Sequence, residues 1–168
     1  MIPDLDLQLQ VVLKALRDTV MPAIEPAQRM AVEQLGLSIA TLAMVRARLP
    51  YAAAREWQDL SDAVALAKAV ASDRLARSIT HGEALLAKVC PEPRALTAAR
   101  QAILTEVSAE VNDAQGDRAE ALMRIVIEKS KPSTDLARAW SKVAGFEPDP
   151  AEVPELESLL AKPASAAV

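Results

Sequence analysis

Aromatic residues are almost missing from this chain: Tyr51, Trp57, Trp140 and Phe146 are the only four among 168 residues. Aromatics supply large, directional contacts to most cores and pockets, so this chain has few such anchors. Glycine is equally scarce, at four residues. No Gly-x-Gly-x-x-Gly, no P-loop and no Gly-x-Ser-x-Gly elbow occurs, which removes the common phosphate cradles and the hydrolase nucleophile turn. One cysteine, Cys90, excludes an intramolecular disulfide and a cysteine zinc cluster. One histidine, His81, excludes a multi-histidine metal site, and the Glu-x-x-His pairs of di-iron bundles are absent. No cofactor is expected.

An excess of positive charge is also lacking. The formal net charge is −4. Arg46 and Arg48 are close, as are Arg74 and Arg77, but neither pair sits in a basic run, so nucleic acid is not an expected partner. The longest uncharged stretch, Gln34 to Val45, is about half of the ~20 apolar residues a membrane span needs. Met1-Ile2-Pro3-Asp4 lacks a basic and then apolar leader. The expected setting is the cytoplasm, away from membranes.

What the chain has is alanine, about a fifth of all residues. Alanine is the best helix former and lets helices approach closely. The expectation is an all-α, single-domain antiparallel bundle of six to eight helices, Ala-rich and close-packed, over 3–146. A Pro-rich linker, short helix and disordered tail follow over 147–168.

Apolar periodicity places the helices. Leu9, Val12, Leu13, Leu16 and Val20 mark a first helix, interrupted by Pro22 and Pro26. A second, from about Pro26 to Leu49, is apolar nearly all round, so it is read as the bundle centre or a subunit interface. Gly36 and Ala40 mark a tight packing spot on it. A long helix from Tyr51 to Ser78 carries Trp57, Leu60, Val64, Ala67 and Leu75, with a jog or new cap at Ser61. Gly82 is read as a break. Cys90 before Pro91 is read as a small buried or half-buried residue at a helix end. Leu96, Ala99, Ile103 and Val107 give the cleanest stripe, from about Arg94 to Ala114. Asp117 and Glu120 signal another helix start, and Ser133 or Thr134 caps the next. Gly145 suits a left-handed cap with Phe146 folding back. Leu156, Leu159 and Leu160 mark a tail helix from Glu155 to Ala161.

Little chemistry remains. His81, the single histidine, is with Glu83 the candidate acid–base pair. Arg74, Arg77 and His81 are the candidate polar contacts for a bound small molecule. Glu56-x-x-Asp59 and Glu110-x-x-Asp113 each put two carboxylates on one helix face. Facing pairs of this kind hold a divalent cation.

These two signatures resemble those of all-helical nucleotide pyrophosphohydrolases of the MazG and dUTPase kind. The resemblance implies a Mg²⁺ site built from Glu56, Asp59, Glu110 and Asp113. The paired-glutamate helix that precedes them in that family has no counterpart here, where Glu25 and Glu33 stand alone.

Three functions follow. The first is a non-enzymatic helical protein that forms a homo-oligomer or binds a protein partner. The second is a binder of an apolar or acyl small molecule. The third is the Mg²⁺-dependent hydrolase.

Overall fold

Alanine and leucine without strand-forming runs give helix as the only regular structure among the described residues. The structure, a computed structural model, describes residues 4–145 and 147–160. The all-α fold stands. Its helices are α1 (Leu5–Ala15), α2 (Arg29–Arg48), α3 (Ala52–Val70), α4 (Ala76–Leu86), α5 (Pro93–Asp113), α6 (Gly116–Lys129), α7 (Lys131–Ser141) and the short α8 (Leu156–Leu159).

The contacts gather the chain into two units, Met1–Pro50 with Trp140–Pro150, and Tyr51–Ala139 with Ala151–Val168. Residues 147–150 gather with the first unit and those from Ala151 with the second. Val153 and Leu156 are buried in the second, so the tail docks on its own chain. The end of the expected tail helix and Phe146 lie outside the described residues.

In the first unit α1 and α2 form an antiparallel hairpin. Arg46 near the end of α2 grips Asp6 near the start of α1 with two bonds, 2.7 and 2.9 Å. Asp4 caps α1 by accepting the Asp6 amide. The helix does not break at Pro22. A π-helical turn over Leu16–Val20 leads into Met21–Ala23, and the Met21 amide donates five residues back to Leu16. Proline has no amide and its ring crowds the carbonyl four residues back; widening the preceding turn relieves both demands. The chain leaves the helix at Ile24, which is extended. Arg48 closes the other end of α2: it donates to the Trp140 carbonyl at 2.9 Å and lies 6.0 Å over the indole.

The second unit has an ordinary core. Leu60, Leu75, Leu96 and Ile103 are fully buried, with Ala63, Ala67 and Ala99 allowing close helix approach. At the centre is α3, packed on α4, α5 and α6. The second helix of the sequence was expected there. It fails because a helix apolar all round needs partners on several sides, and α2 buries only Ile39 and Arg48.

Local expectations also shift. There is no jog at Ser61. The long helix ends instead at Ala71 in a left-handed conformation (φ 52°), and Ser72 starts the next segment by accepting the Arg74 amide. Gly82 does not break α4 but sits buried inside it. A β-carbon placed on Gly82 falls 2.7 Å from Val64 Cγ2 and 3.3 Å from Ile103 Cδ1, so its role is close approach. Cys90 is exposed, not half-buried. Ser133 does not cap α7; its hydroxyl donates to Asp62 at 3.2 Å.

Candidate functional site

The helix order decides what the carboxylates can do. The links Lys68–Glu83 and Trp57–Leu86 make α3 and α4 antiparallel. Thr97 reaches Glu56 and Arg100 reaches Asp59, so α3 and α5 run parallel, with α4 between. Glu56 and Asp59 are thus level with the first turns of α5, whereas Glu110 and Asp113 lie near its end. Arg100 and Glu110 are ten residues apart, about 15 Å of helix. The two pairs do not face each other across one cation-sized gap.

Each pair is also engaged elsewhere. Asp59 binds Arg100 at 2.8 Å and Arg55 at 3.4 Å, and Glu56 accepts from Thr97. Glu110 is held by Arg74 and Arg118, both at 3.2 Å, and Asp113 by Arg74 at 2.9 Å. The Asp113 hydrogen bond and the Glu110 charge raise the Arg74 pKa further. Among the described residues no group of three or more His, Cys, Asp or Glu side chains forms a metal site.

His81 and Glu83 do not form a dyad. Both are exposed on α4, and Glu83 pairs with Lys68 at 2.5 Å. Arg77 is exposed on α4, while Arg74 belongs to the carboxylate cluster at the end of α5. The structure does not bring Arg74, Arg77 and His81 into one concavity.

Two features remain. The first is the hairpin of α1 and α2. Val12 of α1 and Val20 of the π-helical turn are exposed, as are Leu5, Leu7 and Val11. On α2, Met30, Leu37 and Val45 are exposed at heptad-like spacing. Between Glu33 and Arg46 the helix carries no charge. Ser38 and Thr41, exposed on the same helix, donate their hydroxyls to carbonyls one turn back, which leaves the surface drier than its composition suggests. Nothing lies within 4 Å of a β-carbon placed on Gly36. Within Arg29–Val70 an 18-residue window reaches mean hydropathy 1.2 with 6% of it buried. At the hairpin turn, where Pro22 and Pro26 redirect the chain, Met21, Ile24, Val32, Arg29 and Glu33 line an open apolar concavity of about 490 Å³.

The second feature is a polar cleft in the other unit. Asp59, Asp62, Arg100, Lys129, Ser130 and Ser133 line about 220 Å³, with Ala63, Leu66 and Leu104 as apolar wall. Sequence reasoning named Asp59 here and missed the rest. The signal available was Asp59-x-x-Asp62 on one face of α3; the α6–α7 junction that completes the cleft comes seventy residues later and leaves no periodic trace.

Against known proteins, the chain matches no family model, no curated protein and no solved structure.

Proposed function

We propose that this protein is a non-enzymatic helical protein that self-associates as a homodimer in the cytoplasm, through the uncovered face of the α1–α2 hairpin. The single observation that carries this reading is the exposed apolar line of Met30, Leu37 and Val45, of which Leu37 and Val45 lie in the uncharged stretch from Gln34 to Val45. Contiguous exposed apolar surface of this kind marks interaction sites.

Area and charge favour a second copy as the occupant. A twenty-residue α2 is about 30 Å long and each helix about 10 Å wide, so one side of the hairpin offers about 600 Å². Specific interfaces bury from about 1,200 Å² in total, so about 600 Å² from each of two copies reaches the lower end of that range. The stretch from Gln34 to Val45 offers no charge by which a foreign partner is steered or selected. A two-fold axis across the middle of α2 sets this stretch against itself without a like-charge clash.

Light scattering coupled to size exclusion at low micromolar concentration tests the proposal. The expected mass is twice 18.0 kDa. The double variant Leu37→Glu, Val45→Glu is expected at half that mass with unchanged helical circular dichroism. A wild-type monomer across the concentration range refutes the homodimer.

The concavity at the hairpin turn favours a second reading, the apolar or acyl ligand binder. Its volume lies within the usual ligand range of about 300–1,000 Å³, and Arg29 stands at hand for a carboxylate. Saturable stabilisation by decanoate that is lost in Val32→Glu supports it; no stabilisation removes it.

A further inference from the structure

The polar cleft of the second unit is built from residues no core needs. Asp59 and Asp62 project from α3 one turn apart, and Ser130 and Ser133 come from the α6–α7 junction. Asp59 is satisfied: two guanidinium groups, Arg55 and Arg100, hold it. Asp62 is not. Its partners are the neutral amide of Gln58 at 2.8 Å and the Ser133 hydroxyl at 3.2 Å, and among the described residues no cation pairs with it. Burial, the largest cause, pushes its pKa up, and the neighbouring Asp59 adds to this.

The opposite deficit lies beside it. Arg100 spends Nη1 on Asp59, while its Nε is buried and has no hydrogen-bond partner. A buried donor left unmade costs about 1–3 kcal/mol. The cleft therefore holds a carboxylate with no cation and, beside it, a guanidinium that one carboxylate satisfies only in part. Ala63, Leu66 and Leu104 offer the apolar contact between them. At about 220 Å³ the space is below that of drug-sized ligands.

We propose that this cleft binds a small aliphatic amino acid, its ammonium on Asp62 and Ser133 and its carboxylate on the Arg100 guanidinium. A zwitterion supplies a cation to Asp62 and a further acceptor to Arg100, and leaves the net charge of the cleft unchanged. Inorganic cations or anions alone supply one and worsen the other. Lys129, at the mouth and paired with Glu128, completes the polar rim.

Asp62 also gives the test an unusual handle. A carboxyl whose folded pKa is raised binds its proton more tightly in the native state. Its contribution favours the fold below the unfolded value near 3.8 and is lost as pH rises through the raised folded value. At neutral pH the ionised Asp62 therefore works against folding, and Asp62→Asn is expected to melt no lower than wild type.

Calorimetric titration of the full chain with L-alanine and L-valine, and with propylamine and propanoate as half-ligands, decides the matter. The expected result is amino-acid binding at submillimolar Kd, with each half-ligand at least about tenfold weaker. Asp62→Asn and Arg100→Lys should each weaken binding about tenfold or more, a difference of about 1.4 kcal/mol. Both variants should keep the mass of wild type by light scattering. Absence of amino-acid binding at millimolar concentration overturns the proposal. So does propylamine binding as well as L-valine, or a well-folded Asp62→Asn that binds unchanged.

Discussion

At the scale of single residues, small side chains carry more of this structure than large ones. Gly82 is the clearest case, because α4 lies against Val64 and Ile103 at a distance no β-carbon tolerates. Val64 is β-branched and stiff within its helix, so it has little freedom to move aside. Gly82→Ala gains helix propensity of about 1 kcal/mol, but overpacking costs about 1–3 kcal/mol. A net loss of up to about 2 kcal/mol is expected, read as a lower urea midpoint with unchanged slope; a higher midpoint contradicts the close-approach account. The sequence shows a glycine at position 82 but not its reason. A glycine that breaks a helix and one that lets helices touch look alike in one dimension.

Elements were legible to different depths. The stripe Leu96, Ala99, Ile103 and Val107 was readable because one face of α5 meets one core. The limits of α3 were less so: Ser61-Asp62 and Ser72-Asp73 offer similar capping chemistry, and the break goes to Ser72, beyond the left-handed Ala71. Ionic latches were not readable, since Asp6 and Arg46 are forty residues apart. The Arg46 hydrogen bond holds the Asp6 carboxyl below its ordinary value of 3.8. A depressed carboxyl contributes stability that is complete above that ordinary value and is lost as pH falls through the lowered one. Acid is therefore expected to loosen the open end of the hairpin below pH 3.8. Fluorescence of a probe attached near Asp4 should report this in the wild type and show a flat profile in Asp6→Asn; parallel profiles contradict the latch.

For the whole molecule, burial is uneven. The second unit holds nearly all the large buried side chains, while Leu13 and Ile39 are the buried hydrophobes of the α1–α2 hairpin. Amide exchange should expose that contrast. If a second copy covers the hairpin, amides from Gln34 to Val45 exchange slowly in the wild type and much faster in the Leu37→Glu, Val45→Glu variant, while Leu60–Ala67 stay protected in both. Equal protection of α2 in both proteins contradicts coverage by another copy. The candidate sites show the same limit of sequence reading at this scale. Glu56-x-x-Asp59 and Glu110-x-x-Asp113 look equivalent as spacings, yet parallel α3 and α5 set them about 15 Å apart. Spacing within a helix carries no information about the direction of its neighbour.

The π-helical turn at Leu16–Val20 shifts the phase of the helix that it interrupts. An α-helix advances about 100° per residue, so a stripe through Leu9, Leu13 and Leu16 returns to the same side at position 20. The wide turn absorbs one extra residue and delays everything after it by that angle. The inward side is then resumed by Met21 and Ile24, which are partly buried, while Val20 is turned to solvent. The proline that forces the turn thus also decides which residues floor the concavity beyond it.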